Sequence, residues 1–150
     1  MHANAYPILL VEDSPDDALL IQRAFRKANL ANSVQLVRDG EEAVAYLKGD
    51  PPFSDRRQFS LPVLMLLDLK LPRRSGLEVL KWVRQDGTLK RLPVVVLTSS
   101  RESVDVNRAY DLGVNSYLTK PVGFEALLEM VKSVNLYWLI LNEQPEIGRA

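Results

Sequence analysis

Three carboxylates, a hydroxyl and an ammonium close four separate apolar runs in this chain. Glu12 and Asp13 follow "PILLV", Asp68 follows "VLMLL", Thr98 follows "PVVVL" and Lys120 follows "SYLT". Gathered in one place, three carboxylates would repel one another, and their pKa values would rise unless they shared a cation. Hard oxygen ligands suit Mg²⁺, which keeps several waters and takes one or two protein carboxylates beside a phosphate. A lysine would then supply positive charge to oxygens over which negative charge spreads in phosphoryl transfer. The threonine would donate a hydrogen bond, and a carboxylate in line would be the nucleophile.

Each residue also has a plainer use. Taken singly, an acid after a strand more often forms a turn or caps a helix. A serine in the same place usually caps the helix that follows, so Ser99 and Ser100 read as structural. A "TKP" triplet can be a turn whose lysine is merely solvated. What decides is the conjunction: four run ends, in order, each supply a group with a distinct part in metal-assisted phosphoryl transfer.

The elements that must position these groups are short branched runs at 7–11, 33–37, 63–67 and 93–97, with a weaker one at 116–119, all read as strands. Between them the apolar spacing is helical, as in Leu20, Ala24, Phe25 and Ala28, or Leu77, Leu80 and Val83. Ser14-Pro15-Asp16-Asp17 carries an N-cap, a first-turn proline and two acids at the positive end of a helix dipole; Ser75, Ser100 and Pro121 precede later helices. Gly113 after Leu112 is a stop signal. Near-continuous apolar strands alternating with helices predict an α/β fold with a doubly wound parallel sheet. In such sheets ligands bind beyond the carboxyl ends of the strands, where the polar residues fall.

The bulk properties agree. A length of 150 residues fits one domain, and 47% hydrophobic residues can build its core. There are no cysteines, which excludes disulfides, thiolate zinc and a cysteine nucleophile and fits a reducing compartment. A formal net charge of zero steers the protein to neither nucleic acid nor an acidic membrane. The N-terminus has no basic region, and its apolar run is too short for a signal peptide or a span, so a soluble cytoplasmic protein is expected.

The motifs "LLVEDS", "LLDLKLP" followed by Gly76, "VVVLTSS" and "YLTKP" resemble the receiver domain of two-component response regulators, over residues 5–134. The resemblance implies a flavodoxin-like, five-stranded parallel sheet of order 2-1-3-4-5 with five helices. It implies that Asp68 accepts a phosphoryl group from a histidine kinase's phosphohistidine, and that Mg²⁺ is held by Asp13, by Glu12 mainly through water, by Asp68 and by the backbone carbonyl of Lys70. Thr98 and Lys120 would bind the phosphoryl group. Tyr117 would turn inward as Thr98 moves, switching the face made by the fourth helix, fifth strand and fifth helix. Ser75, Lys70 and Ser99 depart from the commonest residues at their positions; Ser75 exchanges one cap for another and should matter little, while Lys70 and Ser99 bear on rates.

Beyond the receiver, "LYWLIL" at 136–141 is apolar all round and needs burial on more than one side. Residues 135–150 are therefore expected to meet a partner or a second copy through Leu136, Tyr137, Trp138, Leu139 and Ile140; the plainer alternative is a tail folded back on its own domain. The tail and the long loop at 49–62 resemble the stand-alone regulators that partner bacterial, especially cyanobacterial, phytochromes, and these imply a phytochrome-type kinase and a homodimer. A small aspartate-nucleophile phosphohydrolase is the competing function, but such enzymes want a second acid two residues after the nucleophile, where this chain has Lys70. A nucleotide- or flavin-binding domain is a third, and the acidic turn "EDSPDD" lacks its glycine-rich phosphate loop.

Overall fold

The computed structural model describes residues 6–148. Ala5 of the expected receiver span and Arg149 and Ala150 of the expected tail lie outside the described residues. Five strands, β1 (Ile8–Val11), β2 (Val34–Val37), β3 (Leu64–Leu67), β4 (Val94–Thr98) and β5 (Ser116–Thr119), form one sheet of order β2-β1-β3-β4-β5, parallel throughout. They alternate with helices α1 (Pro15–Lys27), α2 (Gly40–Lys48), α3 (Gly76–Gln85), α4 (Ser103–Asp111) and α5 (Phe124–Val134). This is the doubly wound, flavodoxin-like arrangement expected from the sequence.

The three central strands are buried on both faces, which is why their sequences run apolar without alternation. Successive side chains still go to opposite sides. Leu9, Val11, Met65, Leu67, Val94 and Val96 pack with the α2–α3 residues Ala43, Leu47, Val79 and Leu80. Ile8, Leu10, Leu64, Leu66, Val95 and Leu97 pack with Ile21 and Phe25 of α1 and Leu127 and Val131 of α5. Four strands begin one residue later than the apolar runs. Pro7 and Pro93 have no N–H to give and join the ladder only as acceptors, from Val63 at 2.9 Å and Met65 at 3.0 Å. β4 runs on to Thr98, which pairs with Thr119.

Ser14 caps α1 by accepting from the Asp17 amide at 3.2 Å, and Ser75 caps α3 in a reciprocal box with Glu78. The caps of the last two helices differ from expectation. Glu102, not Ser100, precedes α4, and Gly123 at φ 93° precedes α5 two residues after Pro121. Neither cap supplies a side-chain bond. Gly113 takes φ 94° directly after the end of α4, a conformation that favours glycine.

The long 49–62 loop is built rather than loose. The Arg56 guanidinium donates to the carbonyls of Tyr46, Leu47 and Phe59 at 2.8 to 3.1 Å, closing the exposed end of α2, while Tyr46, Phe53 and Phe59 pack ring to ring. The tail narrows the interface expectation by two residues, Trp138 and Leu139. After α5 the chain continues as a π-helical stretch, Asn135–Leu141, in which Leu139 is only 8% exposed and Trp138 packs on the α1–α5 side of the core. Leu139 thus completes its own domain's core, and only Leu136, Tyr137 and Ile140 of the expected contacts, with Leu141, stay exposed. The chain then returns beneath the sheet: Ile147 packs against the opposite core cluster, and the Gly148 amide donates to Thr88 O at 2.7 Å.

Candidate functional site

Parallel register assembles the site. Val11 pairs with both Val37 and Leu67, so the next residues, Glu12 and Asp68, emerge side by side, their amides donating to Val37 O at 3.0 Å and Val11 O at 3.1 Å. Thr98 pairs with Thr119, and the amide of the following Lys120 donates to Thr98 O at 2.8 Å. Four strand ends therefore put Glu12, Asp68, Thr98 and Lys120 on one edge of the sheet, with Asp13 next along the chain.

The Lys120 ammonium is the centre of this group. It lies 2.6 Å from Glu12 Oε1, 2.9 Å from Asp17 Oδ2 and 3.0 Å from Asp68 Oδ2, with its side chain 13% exposed. Glu12 is 1% exposed and accepts a further bond from the Ser14 amide; Asp68 is buried and accepts from the Lys70 amide at 3.3 Å. Asp13 is exposed, yet one oxygen each from Glu12, Asp13 and Asp68 falls within 4.8 Å of the others. This donor set, all hard oxygen, crowded and anionic, fits a hard divalent cation. The Lys70 side chain is exposed.

Burial pushes the Glu12 carboxyl up to about 7, against the pull of its bond to Lys120 and with the push of the Asp68 charge. For Lys120 burial alone would favour the neutral amine, but the bonds to Asp17, Glu12 and Asp68 outweigh it and hold the ammonium above the usual lysine range. The two shifts are compatible, because Lys120 keeps Asp17 and Asp68 whichever form Glu12 takes.

Thr98 is buried at the end of β4, its hydroxyl accepting from the Ser100 amide at 3.5 Å. Tyr117 donates its hydroxyl to the Ser100 carbonyl at 2.9 Å, its ring lies against the α2–α4 side of the core, and burial raises its pKa. Ser100 also donates to Asp105 Oδ2 at 2.5 Å and accepts from the Glu102 amide, so it fastens the β4–α4 loop. Its role is structural, as expected, though not as the cap of α4.

The geometry brings Glu12, Asp13, Asp68 and Lys120 together, sets Thr98 beside Lys120 through a shared backbone bond and ties Tyr117 to the loop after Thr98 through Ser100 O; Leu136 to Ile140 lie in the C-terminal extension. Asp17 was read from sequence only as an acid suited to a helix dipole. The signal that could have found it is positional. α1 begins at the carboxyl edge of β1, so its first-turn acids border whatever the edge collects.

Residues 8–132 match the family described as the response regulator receiver domain. The chain is 43% identical over 138 residues to the probable methanogenesis regulatory protein FilR2 of Methanothrix harundinacea, covering 92% of this chain and 86% of that protein. It is 41% identical over 132 residues to response regulator Rcp1 of Synechocystis sp., covering 88% of each, and the crystal structure of the Mn(2+)-bound form of Rcp1 matches with a TM-score of 0.83, 39% identity and coverage of 93% and 99%. The phosphorylated cyanobacterial phytochrome response regulator RcpA matches with a TM-score of 0.87 and 41% identity over 97% of this chain and 100% of that one.

Proposed function

This chain belongs to the response regulator receiver family, and we propose that it is a stand-alone phospho-acceptor for a sensor histidine kinase of phytochrome type, with Asp68 as the acceptor. The observation that carries the reading is the Lys120–Asp68 pair, 3.0 Å apart in a buried acidic pocket at the carboxyl edge of the sheet. In the transfer an Asp68 oxygen forms a bond to phosphorus, the phosphorus–nitrogen bond of phosphohistidine breaks, and the imidazole nitrogen keeps the electron pair. Lys120 holds positive charge against the phosphoryl oxygens and Thr98 donates to one of them.

Glu12, Asp13, Asp68 and the backbone carbonyl of Lys70 are the groups that would hold Mg²⁺, which when bound neutralises charge on the carboxylates and on the transferring group. The Mn(2+)-bound form of Rcp1 supports a divalent ion of this kind. A phosphoryl group on Asp68 gives the Thr98 hydroxyl a strong acceptor. Its inward movement draws on the loop that Ser100 ties to Tyr117, and the α4–β5–α5 face changes with it. The phytochrome-type kinase is inferred from the relatives Rcp1 and RcpA, and a homodimer from the exposed Leu136, Tyr137 and Ile140. Receivers are signal transducers, and the phosphohydrolase reading lacks support: the position of its second acid is Lys70. Among the described residues no helix is long and apolar enough to cross a membrane; we place the protein in the cytoplasm with its kinase, acting on neither nucleic acid nor membrane.

Incubation with Mg²⁺ and acetyl phosphate, followed by intact mass measurement, tests the reading. A single phosphoryl adduct is expected, absent from Asp68→Asn. No adduct, or one that survives the substitution, overturns it.

A further inference from the structure

An ammonium has three N–H donors, and that of Lys120 lies within 3.0 Å of three carboxylates, donating to Asp17 and Asp68 and paired with Glu12. Two of these, Glu12 and Asp68, belong to the floor of the pocket. The third, Asp17, comes from a different element: it sits in the first turn of α1, outside the pocket, with its side chain 40% exposed. Its backbone amide is bonded to Ser14 Oγ at 3.2 Å, so the turn that carries it is fixed independently of Lys120. Lys120 itself follows the half-buried edge strand β5, on a four-carbon side chain that must cross to β1 and β3 to reach Asp68.

We propose that Asp17 is a positioning residue for phosphoryl transfer: its carboxylate anchors the Lys120 ammonium from the α1 side and holds it over Asp68. The proposal rests on Asp68 being the phospho-acceptor. When Asp68 takes a phosphoryl group, the donor it used passes to a phosphoryl oxygen, while the bond to Asp17 is outside the reacting atoms and persists. The ammonium then keeps its place through the transfer; without the anchor it would regain the rotamers of a free lysine, and freezing them again at the transfer would slow the step. Two features separate anchoring from simple helix stabilisation. The α1 cap is already made by Ser14, and Asp16 remains in the same turn to satisfy the dipole.

The test is a double-mutant cycle on the acetyl phosphate reaction with Mg²⁺, using Asp17→Asn, Lys120→Met and the pair. Asp17→Asn alone is expected to slow adduct formation about three- to tenfold, the worth of one partly exposed charge-assisted bond. In the Lys120→Met background it is expected to change nothing, because Asp17 acts only through Lys120. An unchanged rate in the single variant, or an equal slowing in both backgrounds, overturns the proposal. A second measurement needs no phosphorylation. In ¹⁵N-labelled protein the Lys120 ammonium protons should exchange with water slowly, and several-fold faster in Asp17→Asn; equal exchange overturns the anchoring. Absence of any adduct on the unsubstituted chain, with the exchange difference intact, would count against Asp68 as acceptor and leave the anchor standing.

Discussion

Gly76 opens α3 directly against the backbone of Asp68: a Cβ placed on Gly76 would lie 2.2 Å from the Asp68 carbonyl oxygen, and the Gly76 amide donates to Leu69 O at 2.9 Å. The start of the helix is thus pressed onto the segment that presents the acceptor carboxylate. No flexible side chain is involved, so relief must come from moving α3 or the residues after β3. Gly76→Ala is expected to lower unfolding stability by about 2–4 kcal/mol in urea titration and to slow phosphorylation. Gly87→Ala, where a Cβ would meet nothing within 4 Å, is the control and should leave both unchanged. Equal stability of the two variants would mean that the contact yields freely.

Glu12 makes stability depend on pH in a direction opposite to that of an ordinary surface acid. Its carboxyl titrates near 7 in the fold and at 4.5 as a free side chain, because burial disfavours the anion. Between those values the folded state holds the proton more tightly. Its contribution is therefore complete below pH 4.5 and disappears as pH rises through about 7. In EDTA the unsubstituted chain should lose about 3 kcal/mol relative to Glu12→Gln across that window, measured as the difference between their unfolding curves. Mg²⁺ should recover the loss, most of all above pH 7. A difference curve that is flat in EDTA would mean that Lys120 fully compensates the buried carboxylate.

Arg56 joins the long loop to α2 through the carbonyls of Tyr46 and Leu47, beside the bond from the Tyr46 hydroxyl to Ser60 O. Arg56→Ala removes the guanidinium from Leu47 O and Phe59 O, while Tyr46 O keeps the Gly49 amide, at a cost of about 1–3 kcal/mol. The loop lies away from the carboxyl edge, so the phosphorylation rate should stay within twofold. Limited proteolysis should show new cleavage between residues 49 and 62. A rate that falls in step with stability would instead tie the loop to the site.

What the sequence made legible was what depends on neighbours along the chain. Four apolar runs ending in polar residues located the sheet edge and five members of the site, because a parallel sheet turns the order of strand ends into adjacency. Asp17 was not legible as a partner of Lys120. The two are 103 positions apart, and only the placement of α1 against the β5–α5 loop brings them within 2.9 Å. Leu139 was misread for a related reason. An all-round apolar pattern says that burial is needed but not on which side, and the π-helical turn directs Leu139 inward while leaving Tyr137 and Ile140 outside. The Arg56 contacts were hidden too, since a charged residue in a loop has no pattern that marks it as a cap for a helix end.

The tail requires point substitutions rather than truncation to test self-association. Cutting after Val134 would remove Leu139 and Trp138 from the core along with the exposed residues, so loss of a dimer could follow from a damaged domain. Ile140 is 63% exposed and Tyr137 56%, and neither is counted in the core. Ile140→Asp with Tyr137→Ser should therefore cost little more than the edge-on contact of the Tyr137 ring with Trp138, about 1 kcal/mol, while converting the proposed dimer to a monomer by light scattering. Removal of residues 142–150 should do the reverse. It takes away the packing of Ile147 on the core and the Gly148 bond to Thr88, lowering stability by about 1–2 kcal/mol, and with them the Asn142 and Gln144 bonds to Tyr137 O and Trp138 O that close the π-helical stretch, while the exposed side chains themselves remain. An unchanged mass in the double variant would show that the exposed face is not where two copies meet. A monomer after the second change would place the contact in the returning segment instead.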